Sequence, residues 1–250
     1  MYELFFNGMT GGQIFVLAAG ALLIGINKTG IPGLGLVPVV MLTMFFPAGF
    51  STGLQLLLLC AGDLMAIAWY RRTADWRLIA KLIPCALVGI LLGSLTLRFC
   101  GEAHLREGIG VIILLLSALN FIRRKYWKPE KVPDSIYFTI PIGLIAGFTT
   151  QIANAAGPVM ALYLLSMRLP KEKYVGTAAW YFMIMNWIKL PIFIAEGRIT
   201  KEAFLADLPM IPCLLVGAAL GILVLRKLSL ETFERIIEIL VLLAAFKLFF

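Results

Sequence analysis

Asn27-Lys28-Thr29-Gly30-Ile31-Pro32-Gly33-Leu34-Gly35 interrupts an otherwise apolar run from 12 to 46, and Gln151-Ile152-Ala153-Asn154-Ala155-Ala156-Gly157-Pro158 interrupts a second run from 136 to 167. Polar residues, glycines and a proline inside a long apolar stretch break a helix within the layer it occupies and free backbone groups there. Pro158 can take the first turn of a helix without losing a hydrogen bond, and Gly157 before it allows close backbone approach. A half-helix is therefore expected from Gly157-Pro158 to about Met167. Gly33 and Gly35 do the same ahead of 36–46.

The rest of the chain says what that layer is. Of 250 residues, 61% are hydrophobic and 14% charged, against roughly 45–50% and about 25% in a soluble domain. So little polar surface excludes an ordinary soluble enzyme. Apolar runs at 52–70, 78–97, 105–122, 174–195, 203–225 and 232–250 are each near the ~20 residues one helix needs to cross a bilayer. The fold class is an all-α polytopic membrane protein. Residues 1–11 carry only Glu3 and lack a basic start, so the first segment is expected to stay in the mature chain and not to act as a signal peptide.

The net charge of +8 lies in short loops between apolar runs, where it reports orientation, and no nucleic-acid partner is expected. Cys60, Cys85, Cys100 and Cys213 form no close pair, which reads as buried thiols and no metal site. Gly30, Gly33 and Gly35 lack the spacing and preceding strand of a nucleotide fingerprint, and no cofactor is expected.

The chain also repeats itself. Residues 83–98 shifted by 128 positions onto 211–226 give 11 identities in 16, among them Pro84, Cys85, Gly89, Gly93 and Arg98. Upstream the shift falls to 123, where Pro47 meets Pro170, Gly53 meets Gly176 and Asp63 meets Asn186. The expected division is a repeat over 1–125 and another over 133–250, joined by the basic linker 123–133.

Loop charge chooses between two topologies. If each broken region crosses the membrane once, the best orientation puts 11 Lys/Arg inside and 7 outside. If each is a hairpin returning to its own side, loops 71–81, 122–131, 168–173 and 226–231 carry 14 inside, and 47–51, 98–107 and 196–202 carry 4 outside. The positive-inside rule prefers the second. It predicts two inverted repeats, each a broken helical hairpin plus three transmembrane helices, with both termini outside.

Breaks at equivalent points of inverted repeats point to a transporter site at the bilayer midplane. A half-helix N-terminus presents free N–H groups and roughly half a positive charge, which suits an anion. Lys28 lies in the first break and Lys189 in an apolar run beside Pro191, where a lysine costs roughly 2.5–3.5 kcal/mol unless it has a partner or ligand. The candidate substrate-binding set is Asn27, Lys28, Thr29, Gly30, Gly33, Gly35, Gln151, Asn154, Gly157 and Lys189. Asp63 and Asn186 are candidates for a coupling site or a structural ion pair, the latter drawing in Lys189. Plainer roles stand beside these: Lys28 as a lysine snorkelling at a hairpin tip, and Thr149, Thr150 and the other neutral donors, Gln55 included, as helix caps.

The run Gly25-Ile26-Asn27-Lys28-Thr29-Gly30-Ile31-Pro32-Gly33-Leu34-Gly35-Leu36-Val37-Pro38, with Gly62-Asp63 and Tyr70-Arg71-Arg72-Thr73-Ala74-Asp75-Trp76, resembles the sulfite exporter TauE/SafE family, also called the 4-toluene sulfonate uptake permease family. Gly157-Pro158 and Asn186-Trp187-Ile188-Lys189-Leu190-Pro191-Ile192-Phe193 resemble its C-terminal repeat. The resemblance covers essentially the whole chain, though its commoner glycine-rich motif has more consecutive glycines than this first break. It implies an inner-membrane transporter, not an enzyme, that exports a small sulfur oxyanion such as sulfite or an organosulfonate by alternating access. An anion channel or an uptake permease on the same fold is the alternative. The expected partners are the small anion and the lipid bilayer, with proton coupling and a homodimer left open.

Overall fold

A computed structural model describes residues 6, 8–29, 35–70, 74–126 and 135–224, and they are almost entirely helical. In chain order the helices are α1 (Gly11–Thr29), α2 (Leu36–Phe45), α3 (Ala48–Tyr70), α4 (Trp76–Leu97), α5 (Glu102–Tyr126), α6 (Ile136–Ala153), α7 (Gly157–Ser166), α8 (Lys171–Ala195), α9 (Lys201–Asp207) and α10 (Ile211–Val224). A 3₁₀ turn, Leu208–Met210, joins α9 to α10. Among the described residues, six segments are long and apolar enough to cross a membrane: Gly11–Thr29, Ala48–Ala68, Trp76–Leu97, Ile136–Ala153, Glu172–Ala195 and Lys201–Leu223. The expected crossing 105–122 is helical within α5 but is not one of these six. The expected crossing 232–250 and most of the linker 123–133 lie outside the described residues.

Polar caps mark where helices start. Asp75 accepts from the Arg77 and Leu78 amides at the head of α4, Ser135 from Tyr137 at α6, and Thr200 from Ala203 at α9. Within the membrane the pattern of a soluble helix is reversed. α4 buries the small or compact face Leu82, Ala86, Gly89 and Gly93 and turns Val88, Leu91, Leu92 and Leu95 outward, where lipid tails are their solvent.

Both broken runs fold back on themselves. Gln13 Nε2, at the head of α1, donates to the Phe45 carbonyl at the end of α2 (3.0 Å), and Gly20 of α1 faces Leu42 of α2. α6 ends at Asn154, which takes the left-handed conformation (φ 53°, ψ 29°), and α7 starts three residues later. α7 then returns along α6, stacking Tyr163 on Phe138. At 10 residues each, α2 and α7 are about 15 Å long and too short to span alone.

α3 and α8 run antiparallel through the centre. Arg198 meets Thr52, Asn186 meets Asp63, and Thr177 accepts from the Asp75 amide (2.8 Å). Glu102 accepts from the Ala48 and Gly49 amides. Loops 46–49, 98–101 and 196–200 therefore share one end of the bundle, while 74–75 and 168–177 share the other.

The most extensively packed helix pairs each join one half of the chain to the other. A Cβ on Gly147 of α6 would overlap the Ala86 carbonyl of α4, and one on Gly25 of α1 would overlap the Leu214 carbonyl of α10. Likewise Gly89 abuts the Leu144 carbonyl and Gly217 abuts that of Leu22. Ala86 to Leu214 and Gly89 to Gly217 are shifts of 128, whereas Leu22 to Leu144 and Gly25 to Gly147 are shifts of 122. The two pairs thus make one contact twice, with small residues letting the backbones touch.

Candidate functional site

A cavity of about 120 Å³ opens where the two breaks meet. By volume it holds a small oxyanion with several waters, each water needing about 10–15 Å³ on this measure. Its wall combines Asn27, Lys28 and Thr29 from the end of α1 with Gly35 and Leu36 from the start of α2. Thr150 and Asn154 from the end of α6 join Gly157 and Pro158 from the start of α7. α3 adds Gln55, Leu59, Asp63 and Ala66 at helical spacing, and α8 adds Tyr174, Ala178, Phe182 and Asn186. Neither Gly35 nor Ala156, the N-cap residues of α2 and α7, makes a side-chain cap hydrogen bond, and both helix N-termini reach this wall.

Asp63 is fully buried and both its oxygens are engaged. Lys28 Nζ forms an ion pair with Oδ1, and Asn186 Nδ2 donates to Oδ2 (2.7 Å). The Lys28 ammonium also lies 5.0 Å from the centre of the Phe182 ring. The pairing of Asp63 with Lys189 considered above is corrected here: Lys28 takes that place. Lys189 sits three residues past Asn186, about one turn further along α8. Its Nζ donates to Thr150 O (3.0 Å), Thr150 Oγ1 (2.8 Å) and Asn154 Oδ1 (2.7 Å).

Lys189 is not in the cavity wall, but two of its partners are. All three of its protons go to neutral acceptors at the end of α6. A cation at a helix C-terminus opposes the negative end of the helix dipole, so its charge supports the break.

Arg198 extends the same arrangement and was counted in the sequence only as a loop charge. Its guanidinium donates to Thr52 Oγ1 (2.6 and 3.1 Å), Gln151 O (2.9 Å), Ile152 O (3.3 Å) and Glu196 (3.3 Å), and stacks 3.6 Å from the Phe193 ring centre. Burial pulls it down to about 10, opposed by the Glu196 carboxylate, so it stays charged at neutral pH. The last carbonyls of α6 thus meet cations from α8 and the loop after it. No periodicity in sequence marks a loop arginine as buried, although its position just past the end of an apolar run was legible.

Gln151 turns away from the cavity, donating to Ser94 Oγ (2.8 Å) and Glu196 (3.0 Å). Thr29 Oγ1 donates to Ala218 O (2.6 Å) and ties α1 to α10. Gly35 is packed against Asn27, whose Nδ2 would lie 3.3 Å from a Cβ there. Gly30 and Gly33 lie outside the described residues. The cavity therefore gathers Asn27, Lys28, Thr29, Gly35, Asp63, Asn154, Gly157 and Asn186, and leaves Gln151 and Lys189 behind its wall. Among the described residues no group of three His, Cys, Asp or Glu is placed to hold a metal.

Beyond the cavity toward the 46–49 and 196–200 end, the packing closes. Thr43, Ser51 and Thr52 have no exposure, Lys189 and Phe193 have none, and Arg198 is buried behind them. Toward the other end the wall continues through Ala66, Leu164, Val175 and Tyr174.

No curated protein and no solved structure is matched by the chain. The family described as Sulfite exporter TauE/SafE matches residues 16–248, taking in both breaks, the central antiparallel helices and the cavity between them, and the chain belongs to that family of multi-pass membrane transporters.

Proposed function

We propose that the protein is a secondary transporter that exports a small sulfur oxyanion, sulfite or an organosulfonate, by alternating access around the cavity. The observation that carries this reading is the convergence of two uncapped helix N-termini, at Gly35 and Gly157, on one cavity beside a buried lysine–carboxylate pair. Free N–H groups and the positive ends of two helix dipoles stabilise negative charge at that point. The intramembrane cations Lys28 and Lys189 add to the same sign.

The architecture proposed is two inverted repeats, 1–125 and 133–250. The twice-made glycine contact, the loop grouping and the Asp63–Asn186 hydrogen bond between residues one repeat apart all support it. The cavity wall continues toward the end that carries residues 74–75 and 168–173, the cytoplasmic end by loop charge. That direction of access fits loading from the cytoplasm.

In this mechanism Asp63 is the coupling group. The groups facing it are Lys28 from α1 and Asn186 and Lys189 from α8. Uptake of a proton by the carboxylate releases the Lys28 ammonium toward the anion, and loss of the proton draws it back. Asn186 holds the carboxyl in place in both states, and Lys189 and Arg198 keep the α6–α7 junction set.

The test is flux in proteoliposomes with sulfite, methanesulfonate and chloride. Saturable, pH-dependent sulfite or methanesulfonate flux that falls at least tenfold in Lys28→Ala is expected. Absence of anion-dependent flux, or flux unchanged in Lys28→Ala and Lys189→Ala together, overturns the reading.

A further inference from the structure

Gln55 lies on the same face of α3 as Asp63, two turns before it, at the cavity wall and only 1% exposed. Its Nε2 is buried and, among the described residues, has no hydrogen-bond partner. The polar side chains around it are already committed: Lys28 and Asn186 to Asp63, Thr150 to Lys189, and Asn154 to Lys189 and to the Thr52 carbonyl (2.9 Å). A buried N–H without an acceptor is costly, and native structures keep one where a ligand or a change of state satisfies it.

We propose that the Gln55 amide donates to an oxygen of the bound anion, and that this neutral donor makes the site select oxyanions over halide. The inference rests on the transport reading above. A neutral amide adds no charge to the site, so it does not attract anions in general. What it recognises is an acceptor oxygen held at a fixed distance and direction. Between the N-termini of α2 and α7, which supply the charge-favouring field, Gln55 contributes directional contact from a third side. Sulfite and sulfonates carry three oxygens around one sulfur and can meet donors from all three directions, whereas chloride is a single centre. A site built around a buried donor rejects the analogue that fails to satisfy it.

The experiment compares wild type with Gln55→Met and Gln55→Glu in proteoliposomes, with sulfite, methanesulfonate and chloride as the probes. Gln55→Met keeps the volume and removes the donor. The expected result is a rise in KM for sulfite of about tenfold with little change in maximal rate, the size of one lost hydrogen bond, and no rise for chloride. Gln55→Glu replaces the donor with an acid beside the anion, and saturable oxyanion flux should be lost. Retention of the wild-type sulfite KM in Gln55→Met, with wild-type flux saturable, overturns the role of Gln55 and leaves the transport reading standing. No saturable oxyanion flux in the wild type overturns both. Should Gln55→Glu fail to fold, Gln55→Met alone decides.

Discussion

The Lys28–Asp63 pair invites a double-mutant cycle. The side chains are 8% and 0% exposed, and Asn186 is the only other donor to the carboxylate among the described residues. Removing one partner of a buried ion pair costs about 3–5 kcal/mol, because the survivor is left in a low dielectric without its counter-charge. Lys28→Met should therefore cost about that much. Asp63→Asn should cost somewhat less, since Lys28 lies at the cavity wall and keeps its contact with the Phe182 ring.

The double variant has neither charge and can keep an amide partner for Asn186. It should return to within about 1 kcal/mol of wild type, as replacement of buried pairs by neutral groups commonly does. The coupling energy is then about 3 kcal/mol or more, against roughly 0.3–0.5 kcal/mol for independent sites. Thermal unfolding in detergent reads this: at about 2–4 °C per kcal/mol for a chain of this size, each single variant loses on the order of 10 °C and the double regains most of it. Additive losses, or single variants within about 1 kcal/mol of wild type, would refute the buried-pair reasoning. The double variant, though folded, should have lost pH-dependent flux, since the group that carries the proton is gone.

Arg198→Met strips donors from Thr52 and from the Gln151 and Ile152 carbonyls. At about 1–3 kcal/mol per orphaned buried acceptor, a loss of about 3 kcal/mol is expected in the same unfolding assay, and Arg198→Lys should recover only part of it, because an ammonium cannot replace a planar fork. Gly147→Val and Gly25→Val each drive a side chain into a carbonyl of the facing helix and should destabilise by about 1–3 kcal/mol or more; a large difference between them would break the equivalence of the two helix pairs. In a background without the native cysteines, Glu172→Cys should react with an impermeant thiol reagent from the cytoplasmic face only, and Lys201→Cys from the opposite face only. Labelling of both from one face contradicts the inverted arrangement.

How much of this was legible beforehand follows from what each signal depends on. The half-helix 157–166 was readable because Gly157-Pro158 is a local start signal, and four of the six candidate spans, those over the apolar runs 52–70, 78–97, 174–195 and 203–225, because length and hydropathy act without reference to neighbours. The shift of 123 aligned Asp63 with Asn186, and the structure joins these two residues by a hydrogen bond. Loop charge carries an expectation of orientation because it is counted over short segments.

Choice of partner was not legible. Both Lys28 and Lys189 are intramembrane cations within reach of Asp63 by sequence register, and only the packed structure places Lys189 at the end of α6 and leaves Asp63 to Lys28. Packing between helices likewise decides that Gln151 turns toward Ser94 and Glu196, that Arg198 is buried, and that among the described residues the amide of Gln55 has no partner. Composition and hydropathy are properties of segments, and they determined an all-helical membrane protein, while its motifs carried the resemblance to the family that it belongs to. Which charges remain to meet the ligand depends on side-chain directions across helix interfaces, which a one-dimensional pattern does not carry.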